Sequence, residues 1–243
     1  MRMKRFLLVA VCAIGTLAAS AQKTEASPVF FSTEKADQGV TFGLRVGLNF
    51  ANVSAKSGRV GLELDSRTAF HVGVVTDIPI VKSLYVQTGL FLQSKGATYN
   101  GSFLFWDDVE LSGSPLYLEI PLLLSYRCDF TDAVQLQVNF GPYFAYGIGG
   151  KMKITTWDEY NNSESASYDF YDDELELFGE DSKFNRFDCG LQIGAGFTFA
   201  KHYYVGFAYE FGLTNMIDQP HVRKDDKYSM KNSNWMLGIG YNF

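Results

Sequence analysis

The chain is poor in cysteine and histidine, which limits its chemistry. Its 243 residues include three cysteines and three histidines. Three cysteines are too few for a disulfide scaffold. His71, His202 and His221 lack the spacing of metal ligands, and acid–base catalysis would need a histidine beside an acid or a serine. We therefore expect no catalytic residue, no cofactor and no enzymatic activity.

Positive charge is also scarce. The chain has 21 Lys and Arg against 27 Asp and Glu, a formal net charge of −6. Loss of the three basic residues in positions 1–21, where no acid lies, would change this charge to −9. A surface of this sign repels a phosphate backbone, so nucleic acid is excluded as a partner.

Long apolar runs are confined to the N-terminus. A basic start precedes an apolar run from Phe6 to Ala19, and Ala19-Ser-Ala21 is a small-residue cleavage site. This order predicts a secretory signal peptide over residues 1–21, which is removed. No later segment has an apolar run long enough for a transmembrane helix.

The chain has instead a two-residue alternation that is broken by turns. From Gly39 to Val53, large apolar side chains share one face of a strand, and glycine or polar residues share the other. Comparable segments lie near residues 68–76, 84–94, 116–127, 134–149, 185–199, 203–214 and 234–243. Together they make about eight strands, each long enough to cross a membrane when tilted. No Pro/Gly/Ser-rich linker divides them, so residues 39–243 are predicted to form one domain.

Lysine placement indicates which strand face meets water, because strand faces in water usually carry Lys and Glu. The lysines are expected in the connections: Lys56, Lys82, Lys95, Lys151, Lys153, Lys183, Lys201, Lys224, Lys227 and Lys231. The non-apolar face is rich in glycine and amides, which suit the inside of a narrow barrel. A soluble lipocalin-like barrel, with its apolar face inside, is therefore disfavoured. The apolar face is predicted to meet lipid.

The connections alternate between short and long. Short ones lie at residues 77–83, 128–133 and 200–202, and long ones at 54–67, 95–115, 150–184 and 215–233. In outer-membrane barrels the short turns lie in the periplasm. The sequence thus predicts an all-β, eight-stranded, antiparallel up-and-down transmembrane β-barrel in the outer membrane, with both termini in the periplasm. Residues 22–38 become a periplasmic lead, and the strand at 234–243 is expected to close the barrel against the strand near Val40.

A family resemblance rests on several segments spread over the predicted mature chain. They are Gly43-Leu-Arg-Val-Gly-Leu-Asn-Phe50, Gln87-Thr-Gly-Leu-Phe-Leu-Gln-Ser-Lys-Gly96, Tyr117-Leu-Glu-Ile-Pro-Leu-Leu-Leu124, Gly141-Pro-Tyr-Phe144 and Tyr209-Glu-Phe-Gly-Leu-Thr-Asn215. In this order they resemble the PorT-type outer-membrane β-barrel domain found in Bacteroidetes. The resemblance implies a small outer-membrane barrel. It also implies that Phe243, with Trp235 and Tyr241 on the same face, is a signal for the barrel assembly machinery.

Charged residues on the inward face form the candidate site. Arg45, Glu119 and Glu210 have inward parity in the predicted strands. Arg127 and Asp188 share that parity nearer the strand ends. Buried charges must be paired, so one interpretation is an ion-pair network that plugs the lumen. The other is a gated path in which the same charges contact a solute. The plug is favoured because eight strands enclose little more than their own side chains.

The longest connection, residues 150–184, is strongly acidic. Its densest stretch holds Asp169, Asp172, Asp173, Glu174 and Glu176. Carboxylates at this density suit Ca²⁺ or Mg²⁺, although no EF-hand spacing is present and acidic loops are usually only solvated. Aromatic residues among the acids, including Trp157 and Tyr171, favour a surface that binds a protein or a glycan.

Three roles remain open from the sequence. The first is a non-conducting structural or interaction barrel that presents loops outside or supports an envelope complex. The second is a narrow channel or transporter for a small solute. The third, an accessory part in protein secretion, follows from the resemblance alone. The expected partners are outer-membrane lipid and lipopolysaccharide, the barrel assembly machinery during insertion, and an envelope protein.

Overall fold

The computed structural model describes residues 34–36, 39–57, 60–62, 64–103, 106–131, 133–157, 175–178, 184–217 and 228–243. They form β1 (Thr41–Ser57), β2 (Val60–Leu62), β3 (Asp65–Val81), β4 (Leu84–Ser94), β5 (Ala97–Phe103), β6 (Trp106–Thr131), β7 (Val134–Trp157), β8 (Leu175–Glu176), β9 (Phe187–Phe199), β10 (Tyr203–Gly212) and β11 (Tyr228–Asn242). This part of the chain contains no helix that is long and apolar enough to cross a bilayer. The predicted signal peptide lies outside the described residues.

The eight longest spans form a closed ring. The antiparallel order around it is β1, β3, β4, β6, β7, β9, β10 and β11. β1 closes the ring by pairing with β3 on one side and β11 on the other, so Leu48 lies opposite both Phe70 and Leu237. An even strand count returns both ends of the ring to one mouth, which also carries the short turns and is therefore periplasmic. The predicted eight-stranded up-and-down barrel is confirmed.

The two faces of each spanning strand differ as predicted. On β1, Val46 and Leu48 are 49% and 50% exposed, whereas Arg45 and Asn49 are 6% and 0% exposed. In a membrane barrel the exposed apolar face meets hydrocarbon, and the alternate residues point into the lumen. The core of this protein is accordingly polar.

Several strands are longer than predicted, and β6 and β7 are the longest. β6 has 26 residues and β7 has 24, although about ten residues cross a bilayer. Beyond the pair Pro115–Gly150, the two strands stay paired as far as Asp108–Trp157. β5 and β8 add to this sheet at its two edges. The sheet therefore continues past the outer face of the membrane.

The prediction that lysine is confined to connections is wrong for several residues. Those that lie in strands are Lys56 in β1, Lys151 and Lys153 in β7, and Lys231 in β11. All four lie toward the outer ends of these strands, where the sheet leaves the hydrocarbon, and the side chains of Lys151 and Lys153 are exposed. Lys82 and Lys201 do lie in turns, while Lys183, Lys224 and Lys227 lie outside the described residues.

The end of the predicted periplasmic lead contacts the first short turn. The backbone N–H of Lys82 donates to the carbonyl of Glu34 at 2.9 Å. Their side chains pair at 3.8 Å, with both partners well exposed. This contact holds residue 34 at the periplasmic mouth, close to the start of β1.

Glycines leave room in the lumen for large polar side chains. A Cβ on Gly47 would lie 2.5 Å from Cε1 of His71, and one on Gly240 would lie 2.6 Å from Cδ of Arg45. Larger residues here would push His71 and Arg45 out of their places. The glycine-rich inward face thus positions the polar residues of the lumen.

Candidate functional site in the barrel lumen

The outer half of the lumen contains a lysine surrounded by acids. The ammonium of Lys95 lies 2.8 Å from a carboxylate oxygen of Glu119, 3.0 Å from one of Glu210 and 3.7 Å from one of Asp188. All four side chains are at most 3% exposed. We name Lys95, Glu119, Asp188 and Glu210 the outer ion cluster.

The backbone that follows β4 directs Lys95 into the lumen. The N–H of Lys95 donates to the carbonyl of Pro115 at 3.0 Å, so the chain stays attached to β6 after β4 ends. Gly96 then has a φ of +117°, and a Cβ there would lie 2.1 Å from the carbonyl oxygen of Gly113. Only glycine fits such a turn. The turn therefore helps to fix the direction of the preceding side chain.

Amide side chains bind the carboxylates of the outer ion cluster. Nε2 of Gln93 donates to the two oxygens of Glu210 at 2.9 and 3.1 Å, and it lies 3.4 Å from both oxygens of Glu119. Nδ2 of Asn232 donates to Asp188 at 2.9 Å. These hydrogen bonds offset part of the cost of removing three carboxylates and one ammonium from water.

A hydrophobic cap covers the outer ion cluster. It consists of Tyr117, Tyr143, Ala145, Leu177 and Phe178, which are all buried. The ring centre of Tyr143 lies 4.2 Å from Nζ of Lys95. Phe178 meets Tyr117 edge-on, with ring centroids 5.7 Å apart. Leu177 and Phe178 directly follow β8, so this described part of the connection between β7 and β9 lies in the outer mouth of the barrel.

A second ion pair lies in the inner half of the lumen. Nη2 of Arg127 is 2.7 Å from Oδ2 of Asp77. Asp77 also accepts a hydrogen bond from Gln87 at 2.8 Å, and Gln87 accepts one from Asn139 at 3.1 Å. The guanidinium carbon of Arg127 lies 4.2 Å from the ring centre of Tyr85. We name Arg127 and Asp77 the inner ion pair.

Arg45 belongs to neither group. Its guanidinium donates to Oδ1 of Asn242 at 2.8 Å and to the carbonyl of Leu44 at 3.0 Å. Its central carbon lies 4.1 Å from the ring centre of Tyr204. Among the described residues, no carboxylate pairs with Arg45.

The structure brings together only part of the network predicted for the lumen. Glu119 and Glu210 share Lys95 as a partner, whereas Arg45 and Arg127 lie in the inner half and contact neither acid. Lys95 was predicted only as a lysine of a connection, because it follows the end of a strand. Its parity was the available signal, since Lys95 lies two residues after the inward-facing Gln93.

A cavity of about 60 Å³ remains in the lumen near the inner ion pair. The polar side chains that line it are Arg45, His71, Gln87, Asn139, Gln192 and Tyr204. Nδ1 of His71 is held 2.7 Å from Oδ1 of Asn49. We name this cavity the lumen chamber.

A closed ring with an apolar outer face and a polar, ion-paired interior is the architecture of a small outer-membrane barrel. The sequence matches the family described as "Outer membrane protein beta-barrel domain" over residues 21–218. The chain belongs to this family. It is therefore an outer-membrane β-barrel protein, and no curated protein matches it.

Several solved structures are similar to this chain. Ail, the attachment invasion locus protein of Yersinia pestis, is 18% identical over 85% of this chain and 100% of Ail, with a TM-score of 0.37. OprG from Pseudomonas aeruginosa is 16% identical over 86% of this chain and 99% of OprG, with a TM-score of 0.43. Neisserial surface protein A is 10% identical over 85% of this chain and all of its own, with a TM-score of 0.34. The family match carries the assignment.

The acidic loop of this outer-membrane barrel lies mostly outside the described residues. Four of the five acidic residues predicted to bind a cation or a partner lie outside the described residues: Asp169, Asp172, Asp173 and Glu174. Glu176 is exposed in β8, opposite Lys151 of β7. Within the part of the chain that the structure describes, no three His, Cys, Asp or Glu side chains form a group able to hold a metal ion.

The residues predicted as an assembly signal lie on the lipid-facing side of β11. Trp235, Tyr241 and Phe243 are 56%, 39% and 69% exposed. Trp235 packs on Tyr209 of β10 with ring centroids 4.6 Å apart, and Tyr241 contacts Phe243 at 5.5 Å. Outer-membrane barrels carry such aromatic side chains at their two membrane interfaces.

Proposed function

We propose that this outer-membrane barrel is a non-conducting structural or interaction protein, and not an enzyme. In this role it presents its extracellular strands and loops, or it supports a larger envelope complex. The observation that carries the proposal is the outer ion cluster beneath the hydrophobic cap. An ion that passed this level would have to separate Lys95 from buried carboxylates, and breaking a buried ion pair costs about 3–5 kcal/mol.

Solute efflux from liposomes tests the closed barrel. The purified protein is reconstituted into liposomes loaded with glycine or potassium chloride, and a general porin serves as the positive control. We expect the release of both solutes to match that of liposomes without protein. Release well above that level, in proportion to the amount of barrel, would contradict the proposal.

The lumen chamber supports a second candidate, a narrow channel or transporter for a small solute. It offers a polar space of about 60 Å³. Conduction along this route requires the outer ion cluster and the cap to move together as a gate. Glycine or potassium release that depends on the side chains of the chamber would favour this candidate.

We propose outer-membrane lipid and lipopolysaccharide as the direct surroundings of the barrel. Lys151 and Lys153 are exposed on β7 a few residues beyond Ile148, which faces lipid. Ammonium groups just above the apolar band attract anionic head groups. The double variant Lys151→Gln and Lys153→Gln should retain less lipopolysaccharide per barrel through purification. Equal retention by the variant and the wild type would count against this contact.

We also propose that the chain belongs to the PorT-type barrels of Bacteroidetes, on the segments that carry the resemblance. An accessory part in protein secretion is then a third candidate, with an envelope protein as the partner. Affinity capture from outer membranes tests it, and recovery of the barrel without a stoichiometric partner would argue against it. The proposed signal peptide predicts that the protein purified from outer membranes begins at Gln22.

A further inference from the structure

The lumen chamber has the size of a small hydrated ion. Its volume is about 60 Å³, and a single water needs roughly 10–15 Å³ measured in the same way. The chamber therefore has room for on the order of four waters, or for one small ion with some of its water. A sugar acid such as gluconate is too large for it.

Arg45 brings an unpaired positive charge to this chamber. The side chain is 6% exposed and lines the cavity. Its hydrogen bonds end on neutral oxygens, those of Asn242 and the Leu44 carbonyl. The other buried lumen cations differ, because Lys95 is 2.8 Å from Glu119 and Arg127 is 2.7 Å from Asp77. Among the described residues no carboxylate lies within ion-pair distance of Arg45, although the lumen groups together hold four carboxylates and three cations. A buried guanidinium without a contacting carboxylate is costly, so the space beside it favours an anion.

Neutral hydrogen-bond donors face the same space. Tyr204 and Gln192 line the chamber, and their side chains carry a hydroxyl and an amide that can donate. Neither makes a side-chain hydrogen bond to another residue in the described parts of the chain. Gly194, Gly206 and Gly238 also line the space, and the rest of the wall is apolar: Val75, Phe91, Phe207, Ala208 and Met236. The cation and the donors therefore give one side of a partly apolar chamber the groups that bind an anion.

We propose that the lumen chamber binds a small inorganic monovalent anion, of halide or nitrate size, as the counter-charge of Arg45. The ligand class follows from the sign of the guanidinium, the surrounding donors and the volume. The inference stands whether or not the barrel conducts, because it concerns occupancy of the chamber and not passage through the outer ion cluster.

Thermal unfolding in different salts tests the proposal on the full-length barrel folded in detergent. Sodium chloride, bromide and nitrate are compared with sodium gluconate at equal ionic strength. At about tenfold the dissociation constant, we expect a midpoint about 3–6 °C higher in the small anions than in gluconate. Equal midpoints in all four salts would overturn the proposal.

Two kinds of variant localise the effect. Arg45→Gln should abolish the difference between bromide and gluconate, while Arg67→Gln, an arginine outside the chamber, should keep it. If Arg45→Gln does not fold, Tyr204→Phe and Gln192→Leu are measured instead. Each keeps the charge of Arg45 but removes a neighbouring donor, and each should reduce the difference in midpoint between bromide and gluconate. An anion effect that survives all three chamber variants would overturn the assignment to this site.

Bromide located by anomalous diffraction gives an independent readout. Crystals of the wild-type barrel grown in sodium bromide should show an anomalous peak within hydrogen-bond distance of the Arg45 guanidinium. If the peaks are confined to the protein surface, the bromide is an adventitious ion only, and this result would contradict the proposal.

Discussion

At the scale of single residues, Lys95 joins the acidic side chains of the outer lumen. Its ammonium is the shared partner of Glu119 and Glu210 and lies within 3.7 Å of Asp188. Without it, three buried carboxylates would face one another with only amide and hydroxyl donors as neighbours. Loss of one partner from a buried ion pair costs more than the pair itself contributes.

The variant Lys95→Met keeps an unbranched side chain but removes the charge. We expect the free energy of unfolding to fall by about 3–5 kcal/mol, measured by urea titration of the barrel in detergent. Lys153→Met is the matched control, because that side chain is exposed on β7, and a surface change is usually within about 0.5 kcal/mol. If Lys95→Met is as stable as the wild type, the outer ion cluster does not hold the lumen together.

Residue parity predicted the direction of lumen side chains but not their partners. Arg45, Glu119, Glu210 and Asp188 were all expected to point inward, and all are buried. Parity gives no height along the barrel, because height depends on the stagger between neighbouring strands. The separation of Arg45 from the two glutamates therefore could not be predicted, and neither could the chamber beside it.

At the scale of elements, the packing of Phe178 in the outer mouth depends on a glycine in β7. A Cβ on Gly147 would lie 2.3 Å from Cζ of Phe178, whereas one on Gly149 would have no neighbour within 4 Å. Gly147→Val should displace Phe178 and lower the free energy of unfolding by about 1–3 kcal/mol. Gly149→Val, measured by the same urea titration, should cost less. Equal effects of the two substitutions would show that the cap is not packed as described.

The closing strand gives a second prediction at this scale. Phe243→Ala removes a 69% exposed aromatic side chain next to Tyr241. If the aromatic face of β11 is read by the assembly machinery, the fraction of protein inserted in outer membranes should fall several-fold. Phe207→Ala on β10, where Phe207 is 56% exposed, is the control and should insert normally. Normal insertion of Phe243→Ala would remove the case for an assembly signal.

The membrane-spanning parts of the strands were predictable, and their extensions were not. Lipid requires an apolar side chain at every second position, so the pattern is strong from 134 to 149 in β7. Beyond Gly150 this requirement ends, and polar residues such as Lys153 and Thr155 follow. The backbone pairing with β6 nevertheless continues to Trp157. Hydrophobic alternation therefore marks the membrane, while the length of the sheet is set by hydrogen bonding.

At the scale of the whole molecule, the lumen is filled by layers from the outer mouth inward. The cap comes first, then the outer ion cluster, then the lumen chamber and the inner ion pair. The fold that holds them is an eight-stranded ring, whose interior has little more room than its own side chains need. We propose that these layers together close the barrel to ions.

Single-channel recording in planar lipid bilayers tests this claim most directly. Purified wild-type barrel is inserted into the bilayer in potassium chloride, and the current is recorded at positive and at negative applied potentials. Antibody capture confirms the insertion, and a general porin is the positive control. We predict a current that stays at the level of the bare bilayer, without discrete steps. Steady conductance steps of uniform size from the wild-type protein would contradict the closed lumen.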